Sequence, residues 1–547
     1  MSHRSGAETQ GFTLPVAAIG VTVSSMRITR SRLGRAALVE VLLLAASTVG
    51  WLMLGGDATP LLAGITAALL MSGVLFGFET RRIRARHTRF VNWCAGVALM
   101  FIPWLCGWGI ASIVIEARRS DDQTVRAWFE AHSTARPKKC VPWNVGGRPI
   151  VVALALSGGG YRAALTHAGV LAALDDRCVP LTMLSTVSGG SIVGASYAMG
   201  VPPREFATRL SRQKPGFVET RLSMQNAWKR TSELYLDHLR RTYFGDRSIG
   251  SLPTVPILVL NATSLGSPTH IARVALWKDR SGIGVGDALP LADAVAASSA
   301  FPGAFQSIQV GGVAHDIEGA WMVNRTFSDG GVVENLGIEG LRIFLADRMR
   351  VDRRNIPPDL LIVSDASRYG GLEEGMFSGG RPLDQLLRSN QVQFDELHRR
   401  VYKDVTGIDD VSSQVGDSPM VFTADYPTFF LAKDSPKPGG VIPGQLRTIV
   451  VPATREATDA VLANHTTCPG PSGEPPATVR AKVSGFSTLR ELTPLEVREA
   501  FWLGYTLGDA YGVAMECARS QITGVMCAAP PKIPQTDCAN NPAILQP

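Results

Sequence analysis

The sequence predicts an α/β protein, a three-layer α/β/α unit with a mainly parallel central sheet, preceded by an N-terminal unit of three transmembrane helices. From Ile150 onward, short apolar runs alternate with glycine-rich turns and segments of helical periodicity, which is the pattern of βαβ units. Before residue 116, three apolar runs each have about the ~20 residues that a helix needs to cross a bilayer. At 547 residues the chain is also too long for one compact core.

The three apolar runs cover about residues 36–56, 58–78 and 90–115. The second and third carry no charge, and the first carries only Glu40. Buried core helices are the alternative, but three such runs in close succession suit lipid better than a protein core. We therefore expect an integral membrane protein whose N-terminal unit lies in the lipid bilayer.

Arginines around these runs predict the orientation of the chain. Residues 1–89 hold ten arginines and four acidic residues, while the rest is close to neutral, which argues against nucleic-acid binding. Nine of the arginines lie in the ten residues before the first run or between the second and third runs: Arg27, Arg30, Arg32, Arg35, Arg81, Arg82, Arg84, Arg86 and Arg89. The positive-inside rule then places the N-terminus in the cytoplasm and, after three crossings, the catalytic domain outside, on the periplasmic side of a bacterial inner membrane. If Glu40 keeps the first run from inserting, that domain returns to the cytoplasm.

Composition divides the chain into five segments. Residues 1–35 are a basic tail, 36–116 the membrane unit, 117–149 a linker, 150–345 the catalytic core, and 346–547 a C-terminal extension packed on the core with a Pro-rich tail.

Six of the eight cysteines lie beyond the third run: Cys140, Cys178, Cys468, Cys517, Cys527 and Cys538. An even number permits disulfides, which persist in oxidising compartments, and free thiols are the alternative.

The predicted core begins with "IVVALAL" from Ile150, a wholly apolar run typical of a strand buried on both faces. "YRAALTHAGVLAALDD" follows with apolar residues at helical spacing, then "LTMLSTV" as a strand and "GGSIVGASYAMG" as the next helix. This βαβ unit implies a parallel sheet. Two later strands, "TVPILVLNATSL" and "DLLIVSDAS", and two later helices, "PLDQLLRSNQVQFDELHRRVYKDV" and "TPLEVREAFWLGYTLGDAYGVAM", complete the pattern.

The turn "STVSGGSIVGA" between the second strand and its helix predicts a nucleophile elbow with Ser188 at its tip. Small residues must follow because the strand and helix backbones approach closely, and Gly189 and Gly190 meet this need. Ser191 is the competing nucleophile, but it lies one turn into the helix. A helix start that binds a phosphate, or nothing, is the alternative to an elbow.

Three glycines in "ALALSGGGYRAAL" follow the first strand. Backbone N–H groups of Gly158, Gly159 and Gly160 can point at the oxyanion of an acyl-transfer reaction, because no side chain stands in the way. Loops at the carboxyl ends of neighbouring parallel strands face one crevice, so this loop should lie beside Ser188. A Walker phosphate loop would need Gly-Lys-Ser/Thr, whereas here Tyr161 and Arg162 follow.

The stretch "FSDGGVVENLG" provides a base for the serine proton. Asp329 follows a short apolar stretch and precedes Gly330 and Gly331, so its carboxylate can reach a turn. A lone Asp-Gly-Gly is more often just a turn. The catalytic interpretation of Asp329 therefore depends on the other motifs that accompany it. Partial burial of Asp329 should matter, because a carboxylate with a pKa of ~4 is a weak base.

Four motifs in this order resemble those of the patatin-like phospholipases. The oxyanion loop with a basic residue matches "GGGYR", the elbow matches "TVSGG", and the Ala-Ser-x-Ala-x-Pro stretch matches "ASSAFPGAF" from Ala297 to Phe305. The fourth is the Asp-Gly-Gly at Asp329 with the downstream Asn335. The resemblance covers roughly residues 150–345 and leaves out the membrane unit. Thr186 departs from the pattern, since the family's elbow has glycine two residues before the serine.

The resemblance implies a Ser188–Asp329 dyad rather than a Ser-Asp-His triad. Two histidines follow Asp329 and could complete a triad: His398, in a charged helix that is typical of a solvated face, and His465, at the end of a predicted helix. His167 is expected on a helix face. Arg162 anchors the oxyanion loop, contacts a substrate phosphate, or forms a structural salt bridge.

We therefore expect a membrane-anchored serine lipid acyl hydrolase that acts on membrane phospholipid or lysophospholipid, with no metal and no cofactor. Acyl transfer to an acceptor other than water uses the same residues and is one alternative. A catalytically dead membrane-anchored binding or scaffold protein is the other.

Overall fold

The computed structural model divides the chain into two units, residues 1–120 and 121–547. The described residues all belong to the second unit: 140–211, 230–265, 273–278, 287–302, 305–310, 314–316, 321–322, 325–351, 357–367, 396–406, 421–425, 445–452, 458–466, 468–486 and 492–525, with Trp128 and Cys527. The three predicted transmembrane helices lie outside these residues. Within the ranges just given, no helix has the length and apolar character to span a bilayer.

The described chain contains thirteen strands. They are β1 (Asn144–Val145), β2 (Arg148–Pro149), β3 (Val152–Leu156), β4 (Leu181–Val187), β5 (Ile257–Ser264), β6 (Arg273–Trp277), β7 (Ile308–Val310), β8 (Ala314–Asp316), β9 (Trp321–Met322), β10 (Arg325–Asp329), β11 (Leu360–Asp365), β12 (Phe422–Asp425) and β13 (Gln445–Pro452). β1 and β2 form a hairpin within the predicted linker. The other eleven form one sheet in the order β12-β13-β11-β3-β4-β5-β6-β8-β9, and β10 pairs with both β5 and β7.

The sheet is mixed, which corrects the prediction of a mainly parallel one. Five adjacent strands, β13, β11, β3, β4 and β5, are parallel. The six other pairings among the described strands of this sheet are antiparallel. β3 and β11 are buried along their whole length, which explains why the parallel centre appeared in the sequence as continuous apolar runs.

Nine α-helices have described bounds. They are α1 (Gly160–Asp176), α2 (Gly189–Ala198), α3 (Pro203–Ser211), α4 (Thr231–Leu239), α5 (Leu291–Ser299), α6 (Ile338–Val351), α7 (Thr458–His465), α8 (Pro476–Gly485) and α9 (Pro494–Ile522). Residues 396–406 are also helical. A π-helical turn spans Arg240–Phe244, and 3-10 turns span Ile249–Ser251 and Gly330–Val332.

Helices cover both faces of the sheet, giving three layers. Val152, Leu154 and Leu156 of β3 point into a core shared with α1 and α9. The alternate residues Ala153 and Ala155 point into a second core shared with α6 and the helical segment 396–406. This alternation follows from the period of two along a strand.

Register along the carboxyl edge of the parallel strands positions the functional residues. Leu156 lies beside Thr186, and Thr186 beside Leu260. On the far side of β5, Ala262 lies beside Asp329 of the antiparallel β10. The segments that follow β3 and β4 therefore meet the end of β10 at a single edge of the sheet.

Disulfides join Cys140 to Cys178 and Cys517 to Cys527, and Cys468 is also disulfide-bonded. Cys178 lies just beyond the end of α1, so the first disulfide ties the start of the described core to that helix. The second lies at the end of α9. The alternative of free thiols is therefore wrong for these five cysteines.

Candidate active site

Ser188 forms a sharp turn between β4 and α2. Its φ of 51° and ψ of −119° place a non-glycine residue in a region that costs about 1–3 kcal/mol. The turn brings the helix start very close to β3, since a Cβ at Gly190 would lie 2.7 Å from the backbone oxygens of Leu156 and Ser157. Glycine is therefore required after the serine, as the elbow motif predicts.

The Ser188 hydroxyl donates a hydrogen bond directly to Asp329, with 2.7 Å between Oγ and Oδ2. Asp329 ends β10, and the Gly331 N–H donates to its other oxygen, Oδ1, at 2.8 Å. Ser188 keeps 9% of its surface exposed, and Asp329 keeps 2%. The structure therefore brings together the two residues that sequence reasoning selected as nucleophile and base.

Burial controls the proton affinity of Asp329. Desolvation raises the pKa of this carboxyl to about 6, while the hydrogen bonds from Ser188 and Gly331 lower it. A carboxylate with this pKa is ionised at neutral pH, yet it is a stronger base than a solvated aspartate. This answers the difficulty that a lone carboxylate is too weak a base.

The glycine loop packs against the elbow. Gly159 has a φ of 140° and Gly160 a φ of 61°, values that L side chains rarely adopt, and a Cβ at Gly189 would overlap the backbone of Gly160. Gly159 and Gly160 stand at the start of α1, where N–H groups have no partner within the helix. These glycines are needed for backbone conformation and close approach.

Gly158 differs from the prediction. Its N–H donates to the backbone oxygen of Asn335 at 3.0 Å, so the hole predicted from three glycines is reduced to Gly159 and Gly160. The Asn335 side chain donates from Nδ2 to Ser367 Oγ at 2.8 Å. A Cβ at Gly331 would lie 2.5 Å from Asn335 Oδ1. Asn335 thus fastens the oxyanion loop to the turn that follows Asp329, a role the motif alone did not reveal.

Arg162 is fully buried. Its guanidinium donates from Nη2 to the Ala366 oxygen at 2.7 Å and from Nη1 to the Ser484 oxygen at 3.3 Å. These bonds fix the first turn of α1 to two distant segments, and burial keeps the guanidinium from reaching a ligand. Among the roles considered for Arg162, the geometry favours the loop anchor.

Each of the three candidate histidines has a partner away from Asp329. His398 Nε2 lies 3.3 Å from Asp365 Oδ2, and His465 Nε2 lies 3.1 Å from Asp509 Oδ2. The prediction that His398 lies on a solvated face is wrong: it is 4% exposed, because its helix packs on the sheet.

His167 is buried between the Ser157 oxygen, 2.9 Å from Nε2, and Ser364 Oγ, 2.8 Å from Nδ1, and burial lowers its pKa to about 4. Within the described ranges, no three His, Cys, Asp or Glu side chains come together as metal ligands.

Ser191 is fully buried and forms hydrogen bonds with Ser298 and Thr186. Ser188 is therefore the serine that a substrate can reach.

Thr186 itself fits because a glycine faces it: a Cβ at Gly194 would lie 2.5 Å from Thr186 Cγ2. Thr186 can therefore replace the usual glycine of the elbow, because Gly194 of α2 has no side chain that would collide with it.

Two buried tyrosines belong to the surroundings of the site, and sequence reasoning missed them: Tyr235, which the Asp329 charge affects, and Tyr161. Tyr235 donates toward Ser299 Oγ at 2.7 Å and stacks on Phe305 with 4.3 Å between ring centroids. Tyr161, directly after the glycine loop, lies 3.4 Å from His238 Nε2. The residues of α4 carry no motif, so no sequence signal could have placed them here.

Comparisons with known proteins agree with the geometry. Residues 154–342 match the family model described as patatin-like phospholipase. No curated protein sequence matches the chain.

Several solved structures are similar to the chain. Human GIVD cytosolic phospholipase A2 is 12% identical over 75% of this chain and 67% of that chain, with a TM-score of 0.40. Its complex with methyl gamma-linolenyl fluorophosphonate and terbium chloride is 13% identical over 75% and 64%, with a TM-score of 0.34. VipD from Legionella pneumophila is 13% identical over 51% and 62%, with a TM-score of 0.24.

The family match begins in β3 and ends in α6, and it includes the glycine loop, the elbow, the Ala-Ser-x-Ala-x-Pro stretch and the Asp-Gly-Gly turn. These are the segments that the structure brings to one edge of the sheet. Residues 154–342 therefore match the patatin-like phospholipase family model, and the motifs inside that match lie together at one edge of the sheet.

Proposed function

We propose that the chain is a lipid acyl hydrolase that cleaves phospholipid or lysophospholipid esters through an acyl intermediate on Ser188. The observation that carries this proposal is the 2.7 Å hydrogen bond from Ser188 Oγ to a buried Asp329 carboxylate. A serine and a carboxylate in direct contact form the smallest set that can activate a nucleophile and later return its proton.

In the first half of the reaction, Ser188 Oγ attacks the ester carbonyl while Asp329 Oδ2 accepts its proton. N–H groups of Gly159 and Gly160 at the start of α1, together with that of Gly189 at the start of α2, stabilise the carbonyl oxygen as it becomes negative. The tetrahedral intermediate then expels the alcohol, which takes the proton from Asp329. In the second half, water attacks the acyl-serine, Asp329 accepts a water proton, and collapse returns that proton to Ser188 and releases the fatty acid.

Apolar groups beside the pair support a lipid substrate. Phe301, 50% exposed, follows Ala300, whose backbone oxygen accepts the Asp329 N–H. Val332, 47% exposed, ends the turn that follows Asp329. Exposed large apolar side chains next to a reactive group suit a substrate that lies in a lipid surface.

Membrane anchoring through residues 36–115 and an extracytoplasmic catalytic domain belong to the same proposal. The arginine distribution favours this orientation. The Cys140–Cys178 and Cys517–Cys527 disulfides support it, because disulfides persist in oxidising compartments. Protease digestion of intact spheroplasts tests it: we expect the core after Cys140 to be cut. A fully protected core with reduced cysteines would place it in the cytoplasm.

Labelling with a fluorophosphonate probe tests the central proposal. We expect the full-length chain in detergent to react at Ser188, located by peptide mass spectrometry, and Ser188→Ala to lose both labelling and ester hydrolysis. Ser196→Ala is a matched control, since Ser196 is a buried serine of α2 whose hydroxyl bonds Ile192. A folded chain that never reacts would instead be a binding or scaffold protein.

Product analysis on defined phospholipids then separates hydrolysis from acyl transfer. Release of free fatty acid in proportion to lysophospholipid indicates hydrolysis. Lysophospholipid with the acyl group on another acceptor indicates transfer.

A further inference from the structure

The main chain of Ser188 is held by a residue that takes no part in the proposed chemistry. The Ser188 N–H donates to Ser298, reaching its backbone oxygen at 3.2 Å and its Oγ at 3.3 Å. Ser298 is fully buried at the end of α5. Since non-glycine residues rarely adopt the conformation of Ser188, contacts of this kind are needed to maintain it.

The Ser298 hydroxyl belongs to a chain of buried hydroxyl groups with one direction. It donates its single proton to the backbone oxygen of Asn261 at 2.5 Å. Ser191 Oγ lies 2.7 Å from Ser298 Oγ, and Thr186 Oγ1 lies 3.0 Å from Ser191 Oγ. Because each hydroxyl has one proton, Ser191 must donate to Ser298. The Thr186 hydroxyl lies 3.0 Å from Ser191 Oγ and 3.4 Å from the Val259 oxygen, and the shorter contact favours donation to Ser191. The lone pairs of Ser298 Oγ are thereby directed at Ser191 and at the Ser188 N–H.

The same segment holds the base. The Asp329 N–H donates to the backbone oxygen of Ala300 at 3.1 Å, only two positions after Ser298. Ser328 Oγ donates to the same oxygen at 3.1 Å. One short piece of chain thus bonds the main chains on both sides of the Ser188–Asp329 contact, which fixes the separation of their backbones.

We propose that Ser298 is a positioning residue for the reaction: with Ala300 two residues on, it holds the main chains of Ser188 and Asp329 so that Oγ and Oδ2 stay in contact. The inference rests on the proposed function. It gives a role to the Ala-Ser-x-Ala-x-Pro stretch, which the mechanism otherwise leaves unused. It also gives Thr186 a function, since its hydroxyl begins the chain that orients Ser298.

Three variants of the full-length chain in detergent test the proposal with the soluble ester 4-nitrophenyl butyrate. Ser298→Ala removes the hydroxyl. Ser298→Cys keeps a side chain of similar shape with a poor donor and acceptor, and Ser298→Thr keeps the hydroxyl. We expect Ser298→Ala and Ser298→Cys to lower kcat by about 10- to 100-fold with KM within about twofold, because a small misplacement of reacting groups has such an effect. Ser298→Thr should keep most of the wild-type kcat, and the control Ser196→Ala should match the wild type.

The pH profile separates positioning from a loss of stability. The hydrogen bond from Ser188 lowers the pKa of Asp329, so loosening it in Ser298→Ala should move the acid limb of kcat/KM to higher pH. A variant that merely unfolds more easily keeps the wild-type profile. If Ser298→Ala does not fold, Ser298→Cys decides the question.

Two results have distinct meanings. A wild-type chain that neither reacts with the fluorophosphonate probe nor cleaves the ester contradicts the proposed function. An active wild type whose folded Ser298→Ala and Ser298→Cys variants keep wild-type kcat overturns the inference about Ser298 alone, as does a loss confined to KM.

Discussion

At the scale of single residues, the ionisation of Asp329 sets the pH range of the proposed activity. The ionised carboxylate accepts the Ser188 proton, and burial raises the pKa of this group to about 6. We expect kcat/KM for a soluble ester to rise as the pH increases through about 6 and to stay level above it. Steady-state rates across the acidic and neutral range measure this. An acid limb that persists unchanged in Asp329→Asn would assign the titration to another group.

The same raised pKa predicts that Asp329 destabilises the fold. Its carboxyl has a pKa of about 6 when folded and 3.8 ordinarily, so the folded chain binds the proton more tightly. Stability from this group is therefore lost as pH rises from about 4 to 6. Asp329→Asn should abolish activity yet raise unfolding free energy at pH 8 by on the order of 1–3 kcal/mol. Urea unfolding measures the gain, which should vanish near pH 4; an equal gain at both pH values contradicts it.

Residue roles were predictable only where a local pattern carries them. Ser188 and Asp329 lie in short motifs whose glycines have a local reason. The contact of Ser298 with Ser188 was not predictable, although its motif was recognised, because the two residues are 110 positions apart in sequence. His398 was misplaced because helical periodicity reports on neighbours along one helix, whereas its partner Asp365 comes from the end of a strand.

At the scale of elements, the crossing of α1 and α9 depends on two glycines. A Cβ at Gly169 of α1 would overlap the Phe501 oxygen, and one at Gly504 of α9 would overlap the Thr166 oxygen. Gly504→Ala should lower unfolding free energy by about 1–3 kcal/mol, because backbone atoms cannot move aside as a side chain can. Gly485→Ala is the control: its added methyl meets open space at the end of α8. Denaturant unfolding compares the two, and equal stability would contradict a tight crossing.

Elements buried on two faces were predictable, and short antiparallel ones were not. "IVVALAL" and "LTMLSTV" correspond to β3 and β4, and the last predicted helix corresponds to α9. The strands β7, β8 and β9 have two or three residues each, too few to show a period of two. These strands take part in three of the six antiparallel pairings. The other three, β5–β6, β5–β10 and β12–β13, join longer strands, but an apolar pattern does not indicate the direction in which a strand runs.

At the scale of the whole molecule, the exposed apolar groups near Asp329 predict how the enzyme meets its substrate. Phe301→Asp combined with Val332→Asp should lower hydrolysis of phospholipid in vesicles about tenfold or more, because charge opposes entry into a lipid surface. Hydrolysis of soluble 4-nitrophenyl butyrate should change little. Val141→Asp is the control: Val141 is exposed and adjoins the Cys140–Cys178 disulfide, at the opposite end of α1 from the glycine loop. Parallel losses on both substrates would contradict a lipid-facing role.

The direct contact between Ser188 and Asp329 has a consequence for isotope effects. With 2.7 Å between the two oxygens and no imidazole between them, a single proton moves when the nucleophile attacks. In mixtures of light and heavy water, kcat for acyl transfer to Ser188 should therefore fall linearly with the deuterium fraction. A relay through a histidine allows two protons to move together, and the plot then curves downward. The shape of this plot therefore gives the number of protons that are being transferred in the transition state.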